Sequence, residues 1–518
     1  MRTDTIAAIA TAMSDAGIGI VRVSGPEAFL IVNKIFRNKS GKKTLLHYES
    51  HTIKYGYIVD DVSEYNQTNE LNKTNGFDDK KESNILNCKN ESWKKNILDE
   101  VMVAVMKAPN TYTMEDTVEI NCHGGVLLMQ KILELVIKNG ARIAEPGEFT
   151  KRAFLNGRID LARAEAVIDV IHSQNELALC SSMEQLKGNV SEAVKKMREK
   201  IIYEIAFIES ALDDPEHVSL DGYEERLEEI VNNILRELRK LILSADSGKL
   251  MKEGINTVIV GKPNAGKSSL LNLLIGEERA IVTDIAGTTR DILQESIKLN
   301  GVGLNIIDTA GIRSTEDIVE KIGVEKAKEY AEKADLILYV VDASRPLDES
   351  DRDIISVIQN KKVIVLLNKS DLDMVVEEED IRKFFINQNE CDYQNKCELL
   401  KENMRGELPP QNDMHMIRTS TKENIGLDEF EEVINKMFFR GEIKANNEVI
   451  ITNMRHKEAL MDAENSLKMV KNSLEAHMPE DFYSIDLMSA YASLGWIIGE
   501  EVGEDLVNEI FSKFCMGK

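Results

Sequence analysis

The chain contains 518 residues, of which 43% are hydrophobic and 30% charged, and it carries a formal net charge of −25. This length fits roughly three domains of ordinary size, and no run reaches the ~18 apolar residues of a membrane span. The acidic excess argues against a basic face that could hold nucleic acid alone, so an RNA substrate would need help from a partner. Because the N-terminus lacks a basic segment followed by a long apolar core, we expect a cytoplasmic protein.

The first region alternates short apolar runs with Gly and polar turns, which is typical of mixed strands and helices. Its apolar runs include GIGIVRV and TIKYGYIV, and two later stretches, DEVMVAVMKAP and DTVEINCHGG, are predicted to be strands. Residues 61–96 lie between TIKYGYIV and DEVMVAVMKAP and are rich in Asn, Lys and Glu. We predict that they form a polar surface insertion, because they contain too few aliphatic residues for a core. The first domain is predicted to span residues 1–157.

A helical domain is predicted from two segments, residues 158–253 and 438–518. In the first segment, apolar residues recur every three or four positions, and we interpret them as the packing stripe of one long helix in a bundle. Those residues are Met183, Leu186, Val190, Val194, Met197, Ile201, Ile205, Ile208 and Leu212.

Strands alternate with helices between the two helical segments, over residues 254–437, with a second polar insertion at about 374–412. This alternation predicts a mostly parallel sheet with helices on both faces. The predicted fold is therefore multidomain, α+β and α/β, with an α/β domain inserted into a helical bundle.

A phosphate-binding loop opens the α/β block. The strand NTVIV leads into GKPNAGKSSLLNLL, which matches G-x-x-x-x-G-K-[ST] with a strand before it and a helix after it. Backbone N–H groups can surround the phosphates, Lys267 can reach the β and γ oxygens as a catalytic cation, and Ser268 can hold Mg²⁺. Nucleotide contacts are predicted for Asn264, Ala265, Gly266, Lys267, Ser268 and Ser269.

Two further motifs complete a guanine-nucleotide site. NIIDTAG places Asp308 at a strand end, where it can bind the water shell of the metal, while the Gly311 N–H can bond the γ-phosphate. NKSD follows the strand VIVLL, and the Asp371 carboxylate can accept hydrogen bonds from guanine N1–H and the N2 amine, which adenine does not offer. GTP is the predicted nucleotide. Contacts are predicted for Asp308, Thr309, Ala310, Gly311, Asn368, Lys369, Ser370 and Asp371, and for Ser420 in a loop behind the base.

The residue after Gly311 differs from that of small signalling GTPases. Those proteins place Gln there to orient the attacking water, whereas this chain has Ile312, whose side chain can neither donate nor accept a hydrogen bond. Hydrolysis must use other groups, either the acids of STEDIVEKIG or a cation near the phosphates. Asn264 could offer its carbonyl to such a cation, or it could be an ordinary turn residue, and both interpretations stay open here.

Six cysteines are scattered without C-x-x-C spacing, so neither a disulfide framework nor a zinc site is indicated. Cys515 stands fourth from the end in CMGK, and Gly517 and Lys518 do not fit a prenylation box. Cys515 could be a functional thiol on a tail or a small buried side chain. We expect Ile510, Phe511 and Phe514 to anchor this tail against a core.

The motifs together resemble the MnmE (TrmE) family of tRNA-modification GTPases. The resemblance rests on GKPNAGKSSLLN, IVTDIAGTTRD, DTAGIR, NKSD, GIGIVRVSG, CHGG, PGEFTKRAFLNGRIDLARAEAVIDVI and the terminal FCMGK. It runs nearly end to end and breaks mainly in the two polar insertions. The GTPase motifs are shared by many families, whereas PGEFTKRAF and the tail are specific.

The resemblance implies an N-terminal domain that dimerises and binds a folate, preceding a GTPase domain inserted into a helical domain. With the FAD-containing partner MnmG (GidA), in a heterotetramer, such proteins place an aminomethyl or carboxymethylaminomethyl group on C5 of the wobble uridine of certain tRNAs. The carbon would come from a tetrahydrofolate derivative, of the 5,10-methylene or 5-formyl type. GTP, Mg²⁺ and K⁺ would be the other ligands, and FAD would be bound by the partner alone.

The resemblance also implies roles for particular residues. A K⁺ ion would take the position of an arginine finger when two GTPase domains meet, which is a sound way to stabilise developing charge. Glu320 in VEKIG would position the attacking water as a catalytic residue. K⁺ would be bound by Asn264, Thr283, Ile285 and Thr288, Mg²⁺ by Ser268 and Thr289, and GTP also by Thr283, Asp284, Ile285, Ala286, Gly287, Thr288 and Thr289.

A folate site is implied at Arg22, Glu119, Arg158 and Lys518, with Cys515 as a further candidate for catalysis. Spacing alone favours a simpler interpretation, in which the two arginines are surface cations and Glu119 is a solvated strand residue. Arg158 stands where the family often has Lys, which keeps the charge and changes its geometry. A ribosome-assembly or RNA-binding GTPase switch is the alternative function, but it should carry a basic accessory domain. We interpret His123 and His456 as structural or solvated residues.

Overall fold

The computed structural model describes residues 4–60, 92–214, 216–217, 219–276, 295–299, 301–307, 332–358, 361–385, 414–439, 449–515 and 517. The chain forms two compact units, one made of Met1–Ile168 with Gly495–Lys518 and the other of Asp169–Leu494. The multidomain α+β and α/β fold class is as predicted. The domain boundaries drawn from the sequence remain a prediction. Among the helices that the structure describes, none has the length and apolar character needed to cross a membrane.

The first unit contains a seven-stranded sheet in the order β3-β4-β5-β6-β2-β1-β7. Its strands pair antiparallel except for β1 with β7. They are β1 (Ile6–Ile9), β2 (Ala16–Ser24), β3 (Phe36–Arg37), β4 (Thr52–Val59), β5 (Ile97–Met106), β6 (Thr117–Gly124) and β7 (Arg142–Ile143). The helices of this part of the chain are α1 (Ala28–Ile35), α2 (Val126–Lys138), α3 (Glu148–Leu155) and α4 (Leu161–His172), with α13 (Glu504–Ser512) from the C-terminal segment.

Alternation along β2 and β6 separates the core of this unit from its polar face. Val21, Val23, Val118 and Ile120 are buried in one core with the apolar residues of α1 and α2. Because successive side chains of a strand point to opposite faces, the intervening residues lie on the other side of the sheet. The fold thereby places candidate site residues of β2 and β6 side by side on one face.

The second unit contains a six-stranded sheet in the order β13-β12-β11-β8-β10-β9, parallel except for the pairing of β9 with β10. Helices cover both faces, as predicted: Leu270 and Phe430 belong to the core of one face, and Ile355 and Ile381 to that of the other. The strands are β8 (Ile255–Val260), β9 (Glu295–Leu299), β10 (Val302–Ile306), β11 (Leu336–Asp342), β12 (Val363–Asn368) and β13 (Met414–Arg418). The helices are α8 (Lys267–Gly276), α9 (Glu349–Ile358) and α10 (Leu427–Phe439).

The helical part differs from the prediction of one long helix. Gly188 adopts a left-handed conformation with φ of 104° and ends α5, and α6 begins at the next residue. The predicted stripe from Val190 to Ile208 is buried, whereas Met183 and Leu212 are exposed. The helices are α5 (Glu176–Lys187), α6 (Asn189–Asp213), α7 (Tyr223–Glu253), α11 (Met454–Glu475) and α12 (Glu480–Ile498).

Both predicted insertions include ordered residues at one end. Ser92–Asn96 forms a 3₁₀ helix whose Trp93 ring lies 5.7 Å from that of Tyr57. Residues 378–385 are helical, and Val376, Ile381 and Phe385 are buried in a core on one face of the six-stranded sheet. These apolar residues exclude 374–385 from the polar insertion, while residues 61–91 and 386–412 lie outside the described parts of the chain.

Candidate functional site

The phosphate-binding loop joins β8 to α8, as predicted from its sequence. Lys267 is the first residue of α8, and its Nζ donates hydrogen bonds of 2.8 Å to the carbonyl oxygens of Gly261 and Lys262. Burial lowers the pKa of Lys267. The ammonium group is thus held inside the loop by the loop's own backbone. Ser268 and Ser269 are exposed at the start of the same helix, where their hydroxyl groups could contact a bound phosphate or its metal ion.

Two glycines of the loop occupy places where a side chain would not fit. Gly261 has φ of 150°, and a Cβ there would lie 2.3 Å from the carbonyl oxygen of Val340. Gly266 has φ of 106°, and a Cβ there would lie 2.1 Å from Nδ2 of Asn368. Asn264 has φ of 61°, a left-handed conformation that Asn tolerates better than most residues, and it is exposed. Asn264 is therefore a turn residue, and its exposed side chain leaves the carboxamide oxygen accessible to a cation.

Asn368 links the loop to the base-selecting motif. It ends β12, is almost fully buried, and donates from Nδ2 to the carbonyl oxygen of Ala265 over 2.8 Å. Its Oδ1 accepts from the backbone N–H of Thr421 over 3.2 Å. One amide thus fixes the P-loop, the NKSD motif and the loop after β13 relative to each other.

The residues of the NKSD motif are held by two further contacts. Lys369, with φ of 65°, places its Nζ 2.6 Å from the Asp342 carboxylate at the end of β11. Burial opposes ionisation of Asp342, but hydrogen bonds from Lys369 and Ser344 outweigh it and lower the Asp342 pKa. Asp371 accepts a 2.8 Å hydrogen bond from the buried Ser420 hydroxyl. The structure therefore brings together Asp371 and Ser420, two residues that were predicted separately to contact the nucleotide.

Sequence reasoning missed the group that holds the second residue of the P-loop. Lys262 Nζ lies 2.7 Å from the buried Asp351 carboxylate and 3.0 Å from Asp348. Asp351 also accepts from the Tyr339 hydroxyl over 2.8 Å. Burial lowers the pKa of Lys262, but the hydrogen bonds and charges of the two carboxylates raise it more, so the pKa is raised overall. Because the Lys262 carbonyl also accepts a hydrogen bond from Lys267, this cluster fixes the backbone that orients the Lys267 side chain.

A second polar cluster lies in the first unit, on the face of the sheet opposite the core. Arg22 of β2 and Glu119 of β6 are register partners, and Arg22 Nε donates to the Glu119 carboxylate over 2.8 Å. The Arg22 guanidinium also lies over the rings of Tyr112 and Phe149, at 5.8 and 5.6 Å from their centroids. Arg22 and Glu119 therefore form one half-buried cluster, and neither is a solvated surface residue.

Arg158 joins this cluster through Tyr112. Its guanidinium lies 4.7 Å from the centroid of the Tyr112 ring, and its Nη1 donates to the Tyr112 carbonyl over 3.2 Å. The Tyr112 hydroxyl lies 2.8 Å from that of Thr150 in α3. Tyr112 thus has both candidate arginines against its ring, a role that no motif in the sequence indicated, since an aromatic in a loop carries no signal of its neighbours.

The C-terminal tail reaches the same cluster. Phe511 and Phe514 are buried, with ring centroids 5.2 Å apart, as we expected of anchoring residues. Gly517 has φ of 92°, and its carbonyl accepts a 3.1 Å hydrogen bond from Arg22 Nη1. A Cβ on Gly517 would lie 2.3 Å from the Ile9 carbonyl oxygen. Cys515 is exposed, which excludes the interpretation of a buried hydrophobic side chain.

The two histidines set apart from the sites behave as predicted. His123 is mostly exposed, and its Nδ1 lies 2.7 Å from the Asp99 carboxylate, whose hydrogen bond raises the His123 pKa. His456 is fully buried.

Several predicted site residues lie outside the described parts of the chain. In the ranges that the structure describes, no group of three or more His, Cys, Asp or Glu side chains could hold a metal ion. The predicted site residues outside the described ranges are Thr283, Asp284, Ile285, Ala286, Gly287, Thr288, Thr289, Asp308, Thr309, Ala310, Gly311, Glu320 and Lys518.

The mostly parallel sheet, the P-loop and the base-selecting motif define a P-loop GTPase. The family model of the MnmE helical domain matches residues 161–515, and that of the GTP-binding protein TrmE N-terminus matches residues 5–158. The chain belongs to the MnmE (TrmE) family, as its motifs predicted.

Curated relatives match over their whole length. The tRNA modification GTPase MnmE of Lachnoclostridium phytofermentans (strain ATCC 700394 / DSM 18823 / ISDg) is 53% identical over 518 residues, which is 100% of both chains. That of Clostridioides difficile (strain 630) is 44% identical over 519 residues, covering 99% of each. Among solved structures, the G domain of the T. maritima FeoB iron transporter covers 35% of this chain and 97% of its own, at 24% identity, but its TM-score of 0.21 supports no conclusion.

Proposed function

We propose that this chain is a K⁺-dependent GTPase that takes part in modifying C5 of the wobble uridine of certain tRNAs. It would act as a homodimer, in a heterotetramer with the FAD-dependent MnmG (GidA) protein, and would add an aminomethyl or carboxymethylaminomethyl group. The relatives' printed name, tRNA modification GTPase, supports the tRNA substrate. The observation that carries the proposal is the contact of the tail carbonyl of Gly517 with Arg22, beside Glu119, in a chain that also has a GTP pocket.

The cluster around Arg22 suits a tetrahydrofolate. A carboxylate such as Glu119 can accept hydrogen bonds from the ring N–H and amine of a pterin, and this side chain is only half-buried. Arg158 and Lys518 would pair with the glutamyl carboxylates of the folate. The folate supplies the one-carbon unit when it is bound. The residues of this chain bind and orient it, and the exposed Cys515 lies next to the docked end of the tail.

The nucleotide pocket suits GTP with Mg²⁺ and K⁺. Ser268 stands at the N-terminus of α8, where Mg²⁺ and phosphate oxygens would meet, and Thr289 would be the second Mg²⁺ ligand. The exposed Asn264 would bind K⁺ with Thr283, Ile285 and Thr288. A cation fixed beside the γ-phosphate would stabilise developing charge where Ile312 cannot. Glu320 would then orient the attacking water.

We expect GTP turnover to be roughly tenfold or more faster in K⁺ than in Na⁺ at equal ionic strength, because a fixed cation stabilises the transition state. Asn264→Gly should abolish this stimulation, because glycine keeps the left-handed turn at φ of 61° and removes the side-chain carboxamide with its carbonyl oxygen. Steady-state rates of both proteins in both salts provide the measurement. Equal rates in K⁺ and Na⁺ for the native protein would contradict the proposed K⁺ dependence. If K⁺ still stimulated the Gly variant, Asn264 would be a turn residue and not a K⁺ ligand.

The modification itself is tested by the nucleosides in the tRNA of cells that lack this protein, which should have lost the aminomethyl and carboxymethylaminomethyl uridines.

A further inference from the structure

An exposed basic surface stands out on this acidic chain. Five lysines, Lys39, Lys42, Lys43, Lys94 and Lys95, are exposed, and they come from two short segments, NKSGKK and SWKKN, that contain no acidic residue. We call these five residues the lysine surface.

The fold brings the two segments together. NKSGKK follows β3, and SWKKN precedes β5, while both strands pair with β4 between them. Gly41 packs closely on Trp93, since a Cβ on Gly41 would lie 2.4 Å from the indole Nε1. The insertion separates the segments in sequence, which is why no motif revealed this surface.

The turn that carries three of the lysines is well fixed. Oδ1 of Asn38 accepts from the backbone N–H groups of Ser40 and Lys42, over 3.0 and 2.9 Å. Gly41 supplies the left-handed residue of the turn, with φ of 76°. The turn therefore holds its lysine side chains outward on a rigid backbone.

The clustering of these charges is not explained by stability. Among the described residues, no carboxylate pairs with the side chains of Lys39, Lys42 or Lys95. Like charges held close together repel one another, so Lys39, Lys42 and Lys95 raise the free energy of the folded protein unless an anion neutralises them. In a chain with a net charge of −25, a polyanion would be attracted here and repelled elsewhere.

We propose that the lysine surface binds the phosphate backbone of the RNA substrate. The inference deepens the proposed function and rests on it, because it takes the partner to be a tRNA. Lysine ammonium groups are point charges that neutralise phosphates without reading sequence, so this surface would position the tRNA and leave recognition of the uridine to other groups. A flat anionic membrane fits less well, since it would bring the acidic remainder of the chain close to like charge.

The test replaces Lys39, Lys42, Lys94 and Lys95 with Gln in the full-length protein. The matched control replaces four other exposed lysines of the same unit, Lys34, Lys107, Lys131 and Lys138, with Gln, which gives the same change of charge. Fluorescence anisotropy of a labelled tRNA is followed from about 50 to 200 mM salt. We expect the slope of log K against log salt to fall by about three to four in the test variant, with at least tenfold weaker binding at low salt. The control variant should keep the native slope, and GTP turnover and thermal unfolding should be native in both.

A native slope and affinity in the test variant would overturn the proposal. Equal losses in both variants would overturn it too, since net charge alone would then explain binding. If the test variant lost binding to vesicles of phosphatidylcholine and phosphatidylserine but kept its tRNA binding, the ligand of the lysine surface would be a lipid membrane and not RNA. If the native protein supports no wobble-uridine modification while the test variant still loses tRNA binding, the lysine surface stands and the proposed function fails.

Discussion

Replacing Asp371 with Asn is expected to weaken GTP binding by roughly 10² to 10⁴-fold, because two hydrogen bonds to a charged acceptor contribute about 1.5–3 kcal/mol each. The carboxylate is held by the Ser420 hydroxyl at 2.8 Å, so it is oriented before any base arrives. The Asn side chain would present an amide N–H to the guanine amine, so two hydrogen-bond donors would face each other. Xanthine has an oxygen in that place, so xanthosine triphosphate should bind the variant better than GTP does.

Calorimetric titration with both nucleotides measures this change of preference. Asp373→Asn is the matched control, since Asp373 is an exposed acid two residues further along, and it should keep the native preference for GTP. GTP affinity that survives in the Asp371 variant would contradict the role of this carboxylate in base selection.

Removing residues 515–518 is expected to abolish tRNA modification, weaken binding of 5-formyltetrahydrofolate and leave GTP turnover intact. The deletion takes away the Gly517 carbonyl that Arg22 Nη1 contacts at 3.1 Å, and with it Cys515 and the predicted folate ligand Lys518. Turnover should survive because the nucleotide motifs lie in the other compact unit of the chain. The three activities are measured on the same preparation.

Two point variants separate the parts of this tail. Gly517→Ala keeps every functional group but cannot dock, because its Cβ would lie 2.3 Å from the Ile9 carbonyl oxygen, so it should reproduce the deletion. Cys515→Ser keeps the docked backbone and removes only the thiol. Modification that fails in both point variants would assign a chemical role to Cys515. Normal modification in the deletion variant would reduce the tail to packing.

The sequence predicted the elements whose signals are local. The strands around the nucleotide motifs and the P-loop follow from patterns read over a few residues. The break at Gly188 was missed because the apolar spacing continues across it, although a glycine in a helical pattern is itself a signal for a left-handed end. The buried residues Val376, Ile381 and Phe385 were missed because charged residues surround them.

Contacts between distant segments could not be predicted. The pairing of Lys262 with Asp351 and the packing of Tyr112 against Arg22 and Arg158 depend on the register and order of the strands, which no motif records. The lysine surface is a further example, since net charge describes the whole chain and conceals a local excess of the opposite sign. Composition describes the chain as a whole and gives no sign of five lysines in two segments that the fold brings together.

We propose that this GTPase takes part in modifying the wobble uridine of tRNA, with a carbon held at the cluster of Arg22, Glu119 and the tail. The most direct test measures the nucleosides of total tRNA, by liquid chromatography and mass spectrometry, from cells that lack the protein. These cells should lose the aminomethyl and carboxymethylaminomethyl uridines. Expression of the native chain should restore them, whereas the Gly517→Ala chain should not. Unchanged wobble nucleosides in the cells that lack the protein would contradict the account.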